Sequence, residues 1–330
     1  MTTPRHPAHH ETAPGPDSLV LGTMHFGTTV PEADAHALLD RFVERGGRWI
    51  DTADCYAFWQ GESGRGGHSE LVLGRWLAAR PGMRERVLLA TKTGAEPAVP
   101  GVAEGSRTGL SARAIGAAAQ ASLRRLGVGT VDLFWAHMED RATDLTETVD
   151  ALAELTDSGR ALRVGASNHP AWRVERARGL AVSRGSRPLD AIQLSHSYLR
   201  PRPGALTTEH SFGDLSGEQL DHAAVNGMDI WAYTPLLRGA YDVPERALPP
   251  AYHHPGTTDR LAALAAVSGE LGLTAGQVVL AWLAGGAVPV LPILGASRLW
   301  QLDAALDAVT TPLPLELRRR LDEAGTVRGE

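Results

Sequence analysis

A chain of 330 residues with 43% hydrophobic residues can bury one large core, and its length suits an α/β barrel of roughly 250 residues with insertions. Its formal net charge of -6 at pH 7 gives no basic footprint for nucleic acid, and no run approaches the ~20 apolar residues of a membrane span. The one cysteine, Cys55, excludes an intrachain disulfide and fits a reducing, cytoplasmic setting.

Residues 1–17 are rich in Pro, His and Thr and lack an apolar signal core. They read as a flexible tail rather than a secretory signal, and residues 18–330 read as the folded domain. Short apolar runs then recur at 20–22, 49–52, 87–91, 131–135, 162–166, 191–194, 228–232 and 288–293. Helical patterns fill the intervals, at 32–45, 69–79, 111–126, 145–158, 171–183, 218–226 and 258–270. Strands alternating with helices predict a (β/α)8 TIM barrel with a parallel sheet.

Local signals agree with that rhythm. Ser69 and Ser111 stand where each can cap a helix, and Gly127 and Gly159 stand where helices should stop. Thr274 opens a further helix that carries Gln277, Val278, Leu280, Ala281 and Trp282. Arg318, Arg319 and Arg320 fall in a late helical pattern and read as a solvated helix face. Loops at 57–68, 200–216 and 237–257 are long, and each follows the C-terminal end of a predicted strand. That is the face on which barrel enzymes build their sites.

Asp51, Lys92 and His137 each close a predicted strand, and Tyr56 follows Asp51 by five residues. An acid, an ammonium, an imidazole and a phenol at one barrel mouth make a proton-donating site. Reduction of a carbonyl builds negative charge on oxygen, which a positioned acid must meet. A phenol with an ordinary pKa of about 10 donates poorly at neutral pH, and a neighbouring ammonium makes it a better acid. A carboxylate beside the lysine would hold the ammonium in place. Trp59 and Trp135 lie close in sequence to Tyr56 and His137 and are candidate walls of a substrate pocket. Phe58, His196, Tyr198 and Tyr252 are further candidates. The only adjacent histidine pairs, His9-His10 and His253-His254, fall in the tail and a loop, so no metal site is predicted. No glycine-rich dinucleotide fingerprint joins a strand to a helix, which argues against a Rossmann dehydrogenase.

Seven blocks stand in order along the chain. They are Leu21 to Gly27, Asp51 to Tyr56 with Ser69 to Gly74, the Lys92 block, the His137 block, Gly165 to Asn168 with Gln193, Ala232 to Leu236, and Gly295 to Leu302. In this order they resemble the aldo-keto reductase family over about residues 19–315. The resemblance implies an NAD(P)H-dependent oxidoreductase that reduces a small-molecule aldehyde or ketone, with Asp51, Tyr56, Lys92 and His137 as the catalytic tetrad. It implies cofactor contacts at Gly22 and Thr23, and Ser167, Asn168 and Gln193 on the nicotinamide carboxamide. Tyr233 would stack on the ring, with Thr234 beside it, and Leu236 and Gly239 would lie along the pyrophosphate. Gly295, Ser297, Arg298 and Gln301 would form the closing block. Arg298 offers a planar donor fork for a 2′-phosphate, which favours NADP(H) over NAD(H). Ala305 departs from the pattern by standing where an asparagine near the adenine is expected. The alternative within the family is a cofactor-binding regulatory or redox-sensing subunit with little turnover.

Overall fold

Strands buried on both faces are written as continuous apolar runs, and the eight runs of this chain become eight strands. In the computed structural model, residues 15–60, 63–102, 105–205 and 213–325 are described. The tail expected over 1–17 lies outside the described residues up to position 14. The strands are β1 (Val20–Gly22), β2 (Trp49–Asp51), β3 (Leu88–Thr93), β4 (Val131–Ala136), β5 (Ala161–Ser167), β6 (Ala191–Ser195), β7 (Asp229–Tyr233) and β8 (Leu291–Gly295). They form a closed barrel in sequence order. β1 through β6 pair in parallel, and so do β7 and β8. The helices among the described residues are α1 (Glu32–Glu44), α2 (His68–Ala78), α3 (Ala112–Leu126), α4 (Leu145–Asp157), α5 (Ala171–Ser183), α6 (Gly217–Val225), α7 (Pro255–Leu271), α8 (Ala275–Ala284), α9 (Leu299–Thr310) and α10 (Leu315–Glu323). This is the (β/α)8 barrel read from the alternation. No single helix among the described residues is long and apolar enough to cross a membrane.

The chain divides into two compact units. One holds residues 20–193 and 295–302, the other 1–19, 194–294 and 303–330. In the first unit, α3 shows how sequence sets local structure. Ser111 caps it by accepting from the Ala114 amide, and Gly127 ends it at φ 68°, a left-handed value that favours glycine. Ile115, Ala119, Ser122 and Leu126 recur at helical spacing and form its buried face. Neighbouring α2 approaches so closely at Gly74 that a Cβ there would lie 2.1 Å from the Arg125 carbonyl oxygen.

In the second unit, Ser216 with Gln219 and Thr274 with Gln277 form capping boxes that start α6 and α8. α8 is apolar on most sides, and Val278, Val279, Leu280, Ala281, Leu283 and Ala284 are all buried. The late arginines divide their work. Arg319 and Arg320 pair with Glu316 and Glu270 at the surface, while Arg318 donates to the Trp282 carbonyl at 2.7 Å.

Three boundaries differ from the sequence reading. α2 starts at His68 rather than Glu70, with Gly67 as its cap at φ 99°, so Ser69 caps nothing. α7 starts at Pro255, whose missing N–H and fixed φ suit a first helical position. β8 starts at Leu291 rather than Val288, because the Val290 amide donates to the Leu283 carbonyl at the end of α8.

Two buried histidines weaken the fold towards acid, against an opposite contribution from the Asp54 carboxyl, which burial raises to about 7. Burial holds the His169 imidazole down at about 4 and that of His196 at about 3, from an ordinary 6.5. The unfolded chain takes up these protons first. Their contribution is therefore complete above about 6.5 and is lost as pH falls towards 4 and then 3. At their acid ends the displacements correspond to roughly 3 kcal/mol for His169 and roughly 5 kcal/mol for His196. Urea midpoints should fall between about pH 7 and about pH 5, and His169→Gln with His196→Gln should flatten that slope. A slope that survives both substitutions would remove the histidines as its cause.

Candidate active site

A lysine side chain in the core of a barrel needs acceptors, because an unpaired ammonium in low dielectric is costly. Lys92 is fully buried in β3. Its Nζ donates to Asp51 Oδ2 at 2.5 Å, to the Thr52 carbonyl at 2.8 Å and to Tyr56 Oη at 2.8 Å. Three donors meet three acceptors. An ammonium accepts nothing, so the Tyr56 oxygen is the acceptor and its own proton points away from Nζ.

Asp51, 1% exposed at the end of β2, is supported in turn. Gln193 Nε2 donates to Asp51 Oδ1 at 3.3 Å, and the Trp135 indole lies beside the carboxylate and favours its charged form. Burial pushes the Asp51 carboxyl above the usual carboxylate range. The Lys92 charge pulls it back, followed by Lys92 and Gln193 as hydrogen-bond donors and by the Trp135 indole. The strand register aligns these residues, since Lys92 pairs with Trp135 and Trp135 with Gly165.

Tyr56 leaves the β2 turn half-buried, with Lys92 Nζ 4.7 Å from its ring centroid. His137 follows β4, meets the Tyr56 ring edge-on at 6.0 Å and places Nδ1 3.6 Å from Cys55 Sγ. Its main chain is fixed from both sides: its amide donates to Thr93 at 2.9 Å, and its carbonyl accepts from Asn168 Nδ2 at 3.0 Å. Asn168 takes a left-handed φ of 59° and also donates to Ser167 Oγ at 3.1 Å. The structure therefore brings Asp51, Tyr56, Lys92 and His137 together, with Gln193 and Asn168 bonded to them.

A second layer was not anticipated as part of the site. Ser69 Oγ lies 2.7 Å from Thr23 Oγ1 and 2.8 Å from Thr52 Oγ1, so the Ser69 hydroxyl ties α2 to the strand ends. Glu70, fully buried, accepts from Thr91 and from Arg125, both at 2.6 Å. Asp54 accepts from the Thr93 hydroxyl at 2.7 Å. Burial pushes the Asp54 carboxyl up to about 7 against that bond, and the charges of Glu70 and Glu96 add to the rise. The available signal was position, since these residues share the blocks of Asp51, Tyr56 and Lys92.

Several expected contacts fall elsewhere. Thr23, expected at the cofactor, is fully buried, and its hydroxyl donates to the Asp51 carbonyl at 3.0 Å. Trp135, expected as a pocket wall, is also fully buried and lies behind Asp51. His196, Tyr198 and Tyr252 are core residues, each under a tenth exposed. Trp59 differs: it is 45% exposed and stacks edge-on against Phe58 at 5.0 Å.

The residues of the expected cofactor blocks are divided between the two units. In the first, Gly22, Ser167, Asn168 and Gln193 stand at the C-terminal ends of β1, β5 and β6. Gly295, Ser297 and Arg298 are exposed beyond β8, and nothing lies within 4 Å of where a Gly295 Cβ would be. Gln301 Oε1 accepts from the Ser297 and Arg298 amides at 2.9 and 3.1 Å, so this side chain shapes the turn into α9. In the second unit, Tyr233 ends β7 half-buried, and Leu236 is half-buried three residues on. Thr234, Leu237, Arg238 and Gly239 all have left-handed φ, from 47° to 91°. The amides of Leu237 and Gly239 are used within this turn, donating to the Thr234 carbonyl at 3.1 Å and to the Leu236 carbonyl at 2.8 Å. Arg246, missed by sequence reasoning, donates to the Arg238 carbonyl beside it.

Gly165 is the position on which the Trp135 indole depends. A Cβ there would lie 2.5 Å from Trp135 Cζ3 and 2.9 Å from the Ala191 carbonyl oxygen. Gly165→Ala should therefore destabilise the fold by about 1–3 kcal/mol in urea unfolding. An unchanged unfolding free energy would show that the indole has room to move.

Comparison with known proteins shows the family. The family description "Aldo/keto reductase family" matches residues 18–325. The norsolorinic acid reductase stcV of Emericella nidulans is 30% identical over 309 residues, covering 89% of this chain and 74% of that protein. The uncharacterized oxidoreductase YrpG of Bacillus subtilis is 28% identical, with 92% of this chain and 91% of that protein covered. The aryl-alcohol dehydrogenase GME11368 of Pestalotiopsis microspora is 27% identical, with 86% and 70% covered. The chain thus belongs to the aldo/keto reductase family and is an oxidoreductase of the kind that acts on small carbonyl compounds.

Proposed function

We propose that this chain reduces an aldehyde or ketone to an alcohol with Tyr56 as the general acid. The observation that carries the reading is the saturated Lys92 ammonium, whose third proton is given to Tyr56 Oη. A cation bonded to a phenol favours its ionised form, so Tyr56 releases its proton to a substrate oxygen more readily. Lys92 then holds the phenolate, and Asp51 keeps Lys92 oriented and charged. Gln193 and Trp135 hold Asp51, and the His137 imidazole supplies a second donor to the oxygen as charge develops. The nicotinamide cofactor supplies the hydride when bound.

Ser167, Asn168 and Gln193 are the residues we assign to the carboxamide. Gln193 gives Nε2 to Asp51, which leaves its carbonyl oxygen as the acceptor for an amide N–H. Tyr233 and Thr234 take the ring, while Leu236 and Gly239 take the pyrophosphate. Gly22, Gly295, Ser297, Arg298 and Gln301 complete the binding residues. The exposed Trp59 and its Phe58 partner favour a flat substrate, and one relative is named for aryl alcohols. We therefore assign an aryl aldehyde or aryl ketone as the substrate class.

Tyr56→Phe should lower turnover of aryl aldehydes with NADPH by ~10²–10⁴-fold and leave the cofactor dissociation constant near its parent value. Near-parent rates in the folded variant would remove Tyr56 from the acid role. No turnover by the parent across a carbonyl panel would leave the chain a cofactor-binding subunit.

Cofactor choice rests on Arg298, exposed and held by Nη1 against the Ser297 carbonyl at 3.1 Å. A charge-assisted bond to a 2′-phosphate is worth about 1.5–3 kcal/mol, or roughly ten- to a hundred-fold in affinity. Arg298→Ala should lose NADPH affinity by that factor while NADH binding holds. Equal losses for the two cofactors would contradict the preference for NADP(H).

A further inference from the structure

We propose that Asp54, Cys55 and His137 form a binding site for one thiophilic divalent cation of the Zn²⁺ type. A carboxylate oxygen, Sγ and a ring nitrogen of these residues all lie within 4.8 Å of one another. Cys55 Sγ and His137 Nδ1 are 3.6 Å apart. A tetrahedral zinc with Zn–S of about 2.3 Å and Zn–N of about 2.0–2.1 Å spans roughly 3.5–3.6 Å from sulfur to nitrogen. Those two ligands already stand at the spacing such a cation requires.

The third ligand carries an independent signal. Asp54 is 6% exposed, and its Oδ2 accepts from the Thr93 hydroxyl. Its Oδ1 is buried with no hydrogen-bond partner. A buried carboxylate oxygen in that state is costly, and an ion is one of the few things that relieves it. The Thr93 bond orients the carboxylate as outer partners of metal ligands do. One sulfur, one nitrogen and one oxygen are a borderline-soft set that selects Zn²⁺ over Mg²⁺ or Ca²⁺. Three protein ligands leave a fourth position for water.

The charges around the site balance. Lys92 and Arg125 oppose a cation there, while Glu70 and Glu96 favour it. An anionic Asp54 and a Cys55 thiolate supply two negative charges, and the thiol proton leaves to solvent as the metal binds. With Nδ1 on the metal, the ring proton resides on Nε2. The cation would then pin the turn that carries Tyr56 to the end of β4. Sequence spacing hid the site, because two ligands are adjacent and the third follows a different strand.

Because Cys55 is the only cysteine in the sequence, any thiolate-to-metal absorption reports on this site alone. The full chain is titrated with Cd²⁺ and followed by its thiolate charge-transfer absorption. A saturable band at one Cd²⁺ per chain, reversed by Zn²⁺ and untouched by Mg²⁺, is the expected result. Asp54→Asn and His137→Gln should each weaken binding by more than the ~10-fold that loss of an outer partner brings. His9→Ala with His10→Ala should change nothing. Absence of the band in the parent overturns the proposal. So does a band whose affinity is the same in Asp54→Asn and His137→Gln, since a lone thiol would then be the ligand.

Discussion

The structure around the site follows from one constraint, that a fully buried ammonium must find an acceptor for every proton. Lys92 meets it with a carboxylate, a carbonyl and a phenol. Each acceptor then needs its own support. The Asp51 carboxylate is held by Gln193 and Trp135, and the indole fits only because Gly165 has no side chain. Thr52 is held through the hydroxyls of Ser69 and Thr23. The desolvation cost of a buried ion pair offsets most of its attraction, so such a pair contributes little net stability. Its value here lies in fixing the phenol, and the barrel register keeps the supporting residues in line.

The barrel was legible because strand and helix periods alternate so regularly along the chain. Boundaries slipped where a local hydrogen bond outweighed the apolar pattern, as when the Val290 amide was taken by the end of α8. Asp51, Tyr56, Lys92 and His137 were legible because each polar group closes or follows an apolar strand. The side chains of Thr23 and Trp135 turn inward for a shared reason. Their neighbourhood in sequence was correct, but the direction of a side chain depends on packing that no spacing reveals. Thr23 turned to a backbone carbonyl and Trp135 to a carboxylate, and both are fully buried. The left-handed residues Thr234, Leu237 and Arg238 were invisible for a different reason, since backbone conformation at non-glycine residues leaves no mark in composition.

Membership of the family sets the chemistry in general terms, and the residues at its edges set this chain apart. Ala305 is buried, whereas Ser297 and Arg298 are exposed. Gln301 spends both lone pairs of its carbonyl on that turn, which fixes the direction in which Arg298 leaves the backbone. Arg298 itself stays at the surface and open to exchange.

The sequence separations inside the site imply an order of events during synthesis. Lys92 lies 41 residues after Asp51 and 36 after Tyr56, whereas Gln193 lies 142 residues after Asp51. A chain emerging from the ribosome therefore offers the ammonium its carboxylate and its phenol long before the amide that completes the carboxylate exists. Synthesis proceeds at about 5–20 residues per second, so several seconds separate the appearance of Lys92 from that of Gln193. Completion of the Asp51 carboxylate by Gln193 therefore waits on β6, the last of these elements to be made.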